Sequence, residues 1–236
     1  MRIGMGLHIT QQRRLPYPTV AVLPDDAVGA LGDGVYFSGQ VYRKRWVGNR
    51  EGIGDGILFP INLFPSVGDF DFNCMVRLDN MQNGRLYLVG VVPNSTCAEM
   101  NLDSGLTSHN LALRASGGSP QYNAVSTGTD TAWHKLGARR VGNVLTTLVD
   151  GVVTATVADT SGWTPLLSTT TTILSSPNTA SLSIKACNFR LSAPGGTITA
   201  RLDEGAGTVI NNSTGANGTL TDASPANFWY QSWVPE

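Results

Sequence analysis

From residue 70 the chain alternates. Phe70, Phe72, Cys74, Val76 and Leu78 take turns with Asp71, Asn73, Met75 and Arg77. A period of two predicts a strand with one buried face and one wet face. Residues 85–92 are more uniformly apolar and read as a central strand, with Asn83-Gly84 before them as a hairpin turn. Residues 109–115 alternate again. Residues 133–157 read as three strands joined by tight turns at Gly142-Asn143 and Asp150-Gly151, dipeptides that accept positive φ. Residues 181–192 form a further strand whose phase slips between Ala186 and Phe189, which predicts a bulge. Nearer the N-terminus, residues 35–42 and 57–64 read as short β-pieces. Between them lies the basic cluster Arg43-Lys44-Arg45, a solvated loop on one reading and a phosphate-contacting patch on the other.

No window of eleven residues sustains helical spacing without Gly, Pro or β-branched interruption. Thr, which suits the wet face of a sheet, concentrates after residue 126. Short strands with Gly turns between them predict an all-β chain, an antiparallel β-sandwich.

Composition narrows the functional classes. Charged residues make up 14% of the 236 positions, where about 25% is usual. Net charge is -1, so the basic excess required for generic nucleic-acid binding is missing. No apolar run approaches the length of a membrane-spanning helix. Partners of both kinds, nucleic acid and membrane, are therefore not expected. Cys74, Cys97 and Cys187 have no metal-type spacing and do not read as a disulfide framework. The first ten residues lack a signal-peptide pattern, which favours folding in a cytoplasm.

Residues 1–24 read as an extended arm. Pro16, Pro18 and Pro24 impose extended backbone, and Arg2, Arg13 and Arg14 are the arm's only charges. Those three arginines are candidates for an assembly anchor. Residues 25–236 then form a single sandwich, with 198–236 either a permuted part of it or an appended segment.

The stretch from Asp130 through Trp133-His134 to Val149-Asp150-Gly151 resembles the centre of laminin-G-like modules of the concanavalin A-like superfamily. In that family a Trp-His opens one strand and Val-Asp-Gly turns the next hairpin. Residues 202–208 and 215–220 resemble another motif of these modules, which often opens the domain and here closes it. The resemblance implies a jelly-roll sandwich, which the arm of residues 1–24 would precede. The signal-less N-terminus and Pro-rich arm are similar in style to structural proteins of tailed bacteriophages. That likeness implies a non-enzymatic virion component, a head decoration, fibre or tail part, made in the host cytoplasm. Its partners would be other virion proteins and further copies of itself, as a homo-oligomer such as a trimer. The alternative is a carbohydrate-binding, lectin-like adhesion module that takes a host-surface glycan.

Catalytic candidates are thin. Glu51, Glu99, Glu204 and Glu236 are the only glutamates, and no strand carries the paired carboxylates of a glucanase. Asp69 and Asp71 are the nearest same-face pair. His8, His109 and His134 sit in unrelated contexts, and His134 reads as framework. No catalytic residue and no cofactor are assigned. Calcium is the one candidate ion, through Asn101, Asp103 and Ser104 or through Asp203 and Glu204. For a glycan the candidates are Trp163, on a Gly/Pro loop, and Tyr122, Asn101 and Asp103. The closing aromatics Phe228, Trp229, Tyr230 and Trp233 have two readings, a plug for the chain's own core or a subunit contact.

Overall fold

The computed structural model describes residues 25, 27, 29–37, 39–50, 56–66, 68–79, 84–90, 99–104, 109–114, 122–126, 131–158, 169–175, 183–221 and 227–236, with backbone alone between 84 and 126. Among them are seventeen strands and no α-helix. In chain order these are β1 (Gly34–Phe37), β2 (Gln40–Arg50), β3 (Ile57–Phe59), β4 (Phe70–Leu78), β5 (Gly84–Gly90), β6 (Glu99–Ser104), β7 (His109–Arg114) and β8 (Tyr122–Ser126). They continue with β9 (Trp133–Val141), β10 (Val144–Val149), β11 (Val152–Ala158), β12 (Thr171–Ser175), β13 (Ile184–Ala193), β14 (Gly196–Ala200), β15 (Val209–Ile210), β16 (Gly218–Leu220) and β17 (Trp229–Pro235).

Every strand pair is antiparallel, in two sheets. The first runs β1-β2-β13-β4-β9-β10-β11, with β14 on β13 and β17 on β2; the second runs β15-β16-β3-β12-β5-β6-β7-β8. The alternation of β4 sends Phe70, Phe72, Cys74 and Val76 into the space between the sheets. There they join Phe189 and Leu191 of β13 and Ile57, Phe59 and Ile173 of the opposite sheet. Phe72 meets Phe189 edge to face, with ring centroids 5.5 Å apart. This is the predicted all-β sandwich, consistent with a jelly roll. The arm, with Arg2, Arg13 and Arg14, lies outside the described residues.

The two predicted turns of the β9–β11 unit are present. Gly142 has φ 58°, and Asp150 and Gly151 have φ 51° and 79°. The predicted bulge in β13 falls between Cys187 and Arg190, where Asn188 takes a φ of 53°. Two expectations are corrected. Residues 35–42 are a hairpin, β1 and β2 folding back at Gly39 with φ 84°. The basic cluster is not a loop but the middle of β2, paired with β17 through Arg43↔Val234, Lys44↔Trp233 and Arg45↔Ser232.

The C-terminal segment completes both sheets: β14 and β17 enter the first, and β15 and β16 the second. Gly205, in the segment with the family likeness, has φ 76°, and any Cβ there would stand 2.5 Å from Trp46 Nε1. Only glycine permits that approach. Of the two readings of the closing aromatics, three of them take the first and fill the chain's own core. Phe228 and Trp229 join the intersheet core, and Trp233 packs fully buried on Tyr42. Tyr230 alone of the four reaches the surface, at 37% exposure.

The wet face of the first sheet is not wet throughout. At the end of β4, the Arg77 guanidinium is 8% exposed and pairs with Asp25 and with Asp79 at 3.3 Å. It also donates to Ser232 Oγ at 3.2 Å and lies over the Trp133 ring. Lys185 reaches Asp79 at 2.6 Å and sits over the Tyr230 ring. Burial alone would push the Asp25 carboxyl up. Hydrogen bonds from Arg77 and Ser232, with the charges of Arg77 and Lys185, outweigh it and hold the carboxyl below its ordinary 3.8. A carboxyl lowered in the folded chain stabilises it fully above the unfolded value and loses that contribution as pH falls through the folded one. The stability difference between wild type and Asp25→Asn should therefore be constant above about pH 5 and shrink below pH 3.8. Urea unfolding of both proteins across the acid range measures it.

Candidate functional site

At the other end of the same face the sheet opens. A cleft of about 400 Å³ is lined by Asp69, Phe70 and Asp71 at the start of β4, Arg139, Arg140 and Val141 at the end of β9, and Ser192 of β13. Register explains the convergence, because Asp71 stands opposite Arg139 on one side and Ser192 on the other. Alternation places Asp69, Asp71, Arg139 and Ser192 outward, while Phe70 and Phe72 hold the strand down on the core and Arg140, opposite Phe70, reaches the rim.

The charges are organised in pairs. Arg190 Nη1 donates to Asp71 Oδ2 at 3.2 Å. Arg140 Nη1 lies 3.5 Å from Asp69 Oδ1, which also accepts the Gly142 N–H at 2.8 Å. Arg140 further donates to Asn143 Oδ1 at 3.2 Å, so the β9–β10 turn is tied to the cleft rim. Ser192 Oγ shares a hydrogen bond with Thr197 Oγ1 at 3.0 Å. The side chains of Asp69 and Asp71 are each 60% exposed. Val141 and Val144, cross-strand partners at the hairpin, add an exposed apolar lip. The arrangement offers carboxylate acceptors, guanidinium donors and an apolar edge within one open cleft.

His134 and Asp150 form a second polar pair with a different use. His134 Nδ1 lies 2.7 Å from Asp150 Oδ2, and Asp150 Oδ1 accepts the Lys135 N–H at 2.8 Å. The carboxylate thus ties the β10–β11 turn to the start of β9. That is the framework role expected of His134, and it gives the Trp-His and Val-Asp-Gly likeness a physical content.

The glycan candidates read from the sequence are placed only in part. Trp163 lies outside the described residues. Tyr122 occupies the cross-strand row of Leu113 and Met100, while Asn101 occupies the row of Ala112 and Tyr87, so the two positions fall on opposite faces of the second sheet. Asp103 shares the face of Asn101, two residues along β6. Of the calcium candidates, Asp203 is engaged by Arg201 at 3.0 Å and Arg45 at 3.7 Å, and Glu204 Oε1 accepts the Asn211 N–H at 2.7 Å. Among the described residues no three His, Cys, Asp or Glu side chains converge as a metal site.

The sequence showed the Asp69–Asp71 pair but not its partners. Arg190 is 119 positions from Asp71. The Arg139-Arg140 doublet was the available signal, since alternation in β9 sends one outward and one to the rim.

No protein-family model matches the chain. No curated protein sequence matches it either. Solved structures do. A candidate carbohydrate-binding protein from Bacteroides ovatus superposes with a TM-score of 0.51 at 13% identity, over 80% of this chain and 61% of that one. The binding domain of botulinum neurotoxin DC, solved in complex with SialylT, gives 0.48 at 12% identity, over 67% and 44%. A botulinum neurotoxin type C structure, whose cell entry depends on two ganglioside molecules, gives 0.46 at 10% identity. The chain spans between 44% and 61% of the length of these structures. The first likeness shows the shared β-sandwich fold.

Cleft and framework should separate in stability measurements. Asp71→Ala and Arg190→Ala remove an exposed pair and should each change the unfolding free energy by less than about 1 kcal/mol. Asp150→Ala loses two hydrogen bonds and puts alanine at positive φ, and should cost about 1–3 kcal/mol. Urea denaturation of the three variants checks both expectations.

Proposed function

We propose that the protein is a non-catalytic carbohydrate-binding module and that the Asp69–Asp71–Arg139 cleft is its binding site. The observation that carries this reading is the cleft itself, with outward carboxylates and guanidinium groups at fixed register on a rigid sheet beside an apolar lip. Sugar hydroxyls both donate and accept, so a carboxylate beside a guanidinium serves vicinal hydroxyls well. The sandwich shared with the Bacteroides ovatus protein supports the reading at the level of fold. So does the family likeness to laminin-G-like modules. A glycosidase would need two carboxyl groups free to flank a scissile bond, one of them in an apolar enclosure. Asp69 and Asp71 are instead open to water, each beside a guanidinium, which favours binding without turnover.

A glycan array probed with the full chain should give defined hits. Asp71→Ala and Arg190→Ala should each weaken those hits about tenfold, near 1.4 kcal/mol. Loss on Trp163→Ala with the cleft variants unaffected would move the site to the 161–165 loop. A blank array would sink the carbohydrate reading.

A second reading concerns where the module is displayed. The likeness in style to tailed-bacteriophage proteins suggests mounting on a virion by residues 1–24 with Arg2, Arg13 and Arg14, and the way the root of that segment is fixed suits an anchor. Asp25 is bound to Arg77 and Ser232, and Ala27 O accepts hydrogen bonds from Trp233 Nε1 and Lys44 Nζ. A clamp at residues 25–27 would transmit a pull on residues 1–24 to the sheet rather than fray. Deletion of residues 1–24 should leave the urea midpoint nearly unchanged and abolish co-purification with particles. Retained incorporation would rule out the arm as anchor.

A further inference from the structure

We propose that the cleft selects acidic saccharides, and that Arg139 is the residue that pairs with the sugar carboxylate. The inference rests on the carbohydrate reading and deepens it. Four of the five charged side chains at the cleft are already matched. Asp71 has Arg190 at 3.2 Å, and Asp69 has Arg140 at 3.5 Å together with the Gly142 amide. Arg139 is the remainder. It stands directly across β4–β9 from Asp71, yet no ion pair joins them, and among the described residues its exposed guanidinium has no hydrogen-bond or ion-pair partner. The site therefore carries one uncompensated positive charge in a chain whose net charge is -1.

A neutral sugar would use the carboxylates as acceptors and leave the Arg139 fork unpaired. A carboxylate substituent fits that fork with two parallel N–H···O bonds, the strongest arrangement available to a guanidinium. The position of Arg139 on a strand, between Arg140 at the rim and Gly137 behind it, holds the group at fixed register rather than on a loop. Val141, two positions on, offers the apolar contact that a sugar ring's carbon face requires.

The test uses the full chain and an array of oligosaccharides ending in glucuronic, galacturonic or sialic acid, each beside its carboxyl methyl ester. Neutral and sulfated sugars on the same backbones complete the set. The acids should bind about tenfold tighter than their esters, and the preference should fall as salt rises. Arg139→Ala should bring acids and esters to equal affinity, and Arg139→Lys should restore part of the preference. Equal binding of acids and esters, with both lost on Asp71→Ala, would overturn the inference and leave the carbohydrate reading standing. So would a preference that survives Arg139→Ala. Stronger binding of sulfated sugars than of carboxylated ones would overturn the assignment of the carboxylate. Silence across the array would overturn inference and carbohydrate reading together.

Discussion

The arrangement of the first sheet depends on Arg77. A guanidinium only 8% exposed on the outside of a sheet is costly unless carboxylates meet it. They arrive from two directions. Asp79 comes from just beyond β4, and Asp25 comes from the far N-terminal side, with Ser232 of β17 completing the set. A buried ion pair of this kind contributes little net stability compared with well-packed apolar groups, but removing one partner is expensive. Its effect is to reject other arrangements. β4, β13, β17 and the residue 25 strap must all lie where Arg77 and Lys185 can be paired, and a slip of one residue would bury an unpaired charge.

That constraint divides one face into two ends. From Arg77 to Asp71 is six residues along β4, about 20 Å at strand rise. At the Arg77 end the charges are covered by Tyr230, Trp133 and the strap, and they hold the chain together. At the Asp71 end the same alternation puts Asp71, Arg139 and Arg190 outward, with none of the described residues laid across them. The β13 bulge separates the two. It lets Cys187 pack beside Val47 and Trp133 on the covered part, then resumes the phase so that Arg190 and Ser192 face the cleft. An arm anchored at Asp25 would leave the cleft displaced from the anchor by the length of the sheet.

Legibility in the sequence followed the range of the interactions. β4 and the β9–β11 unit were readable because alternation and positive-φ turns are local. The phase slip in β13 was readable for the same reason. The basic cluster was misread because its compensation is remote. Arg43 binds Glu236 across 193 positions, Arg45 meets Asn188 across 143, and the Lys44 ammonium lies over Trp233. Three consecutive cations look like a solvated loop until those partners are folded against them. The hairpin at Gly39 was hidden because its two strands keep a similar apolar character on either side. Trp229 and Trp233 illustrate the reverse case, since nothing in their spacing says whether a late aromatic fills its own core or a neighbour's. The cleft shares this limit, with its carboxylates 68 or more positions from any of its guanidiniums.

Low charge sharpens what such a cleft can do. Residues 151–200 carry only Asp159, Lys185 and Arg190, so most of the surface is wetted by Thr, Ser, Asn and Gly. A protein of net charge -1 has little long-range field with which to gather a charged ligand. Selection at the cleft must then occur at contact, in dissociation rather than in association. At contact the paired charges bind one sugar much as another, because any ligand group that engages Asp71 or Asp69 competes with Arg190 or Arg140 already there. The unpaired group has no such competitor. Its bond to a ligand replaces only water, and it therefore dominates the difference between one sugar and another even though the pairs dominate the shape of the site.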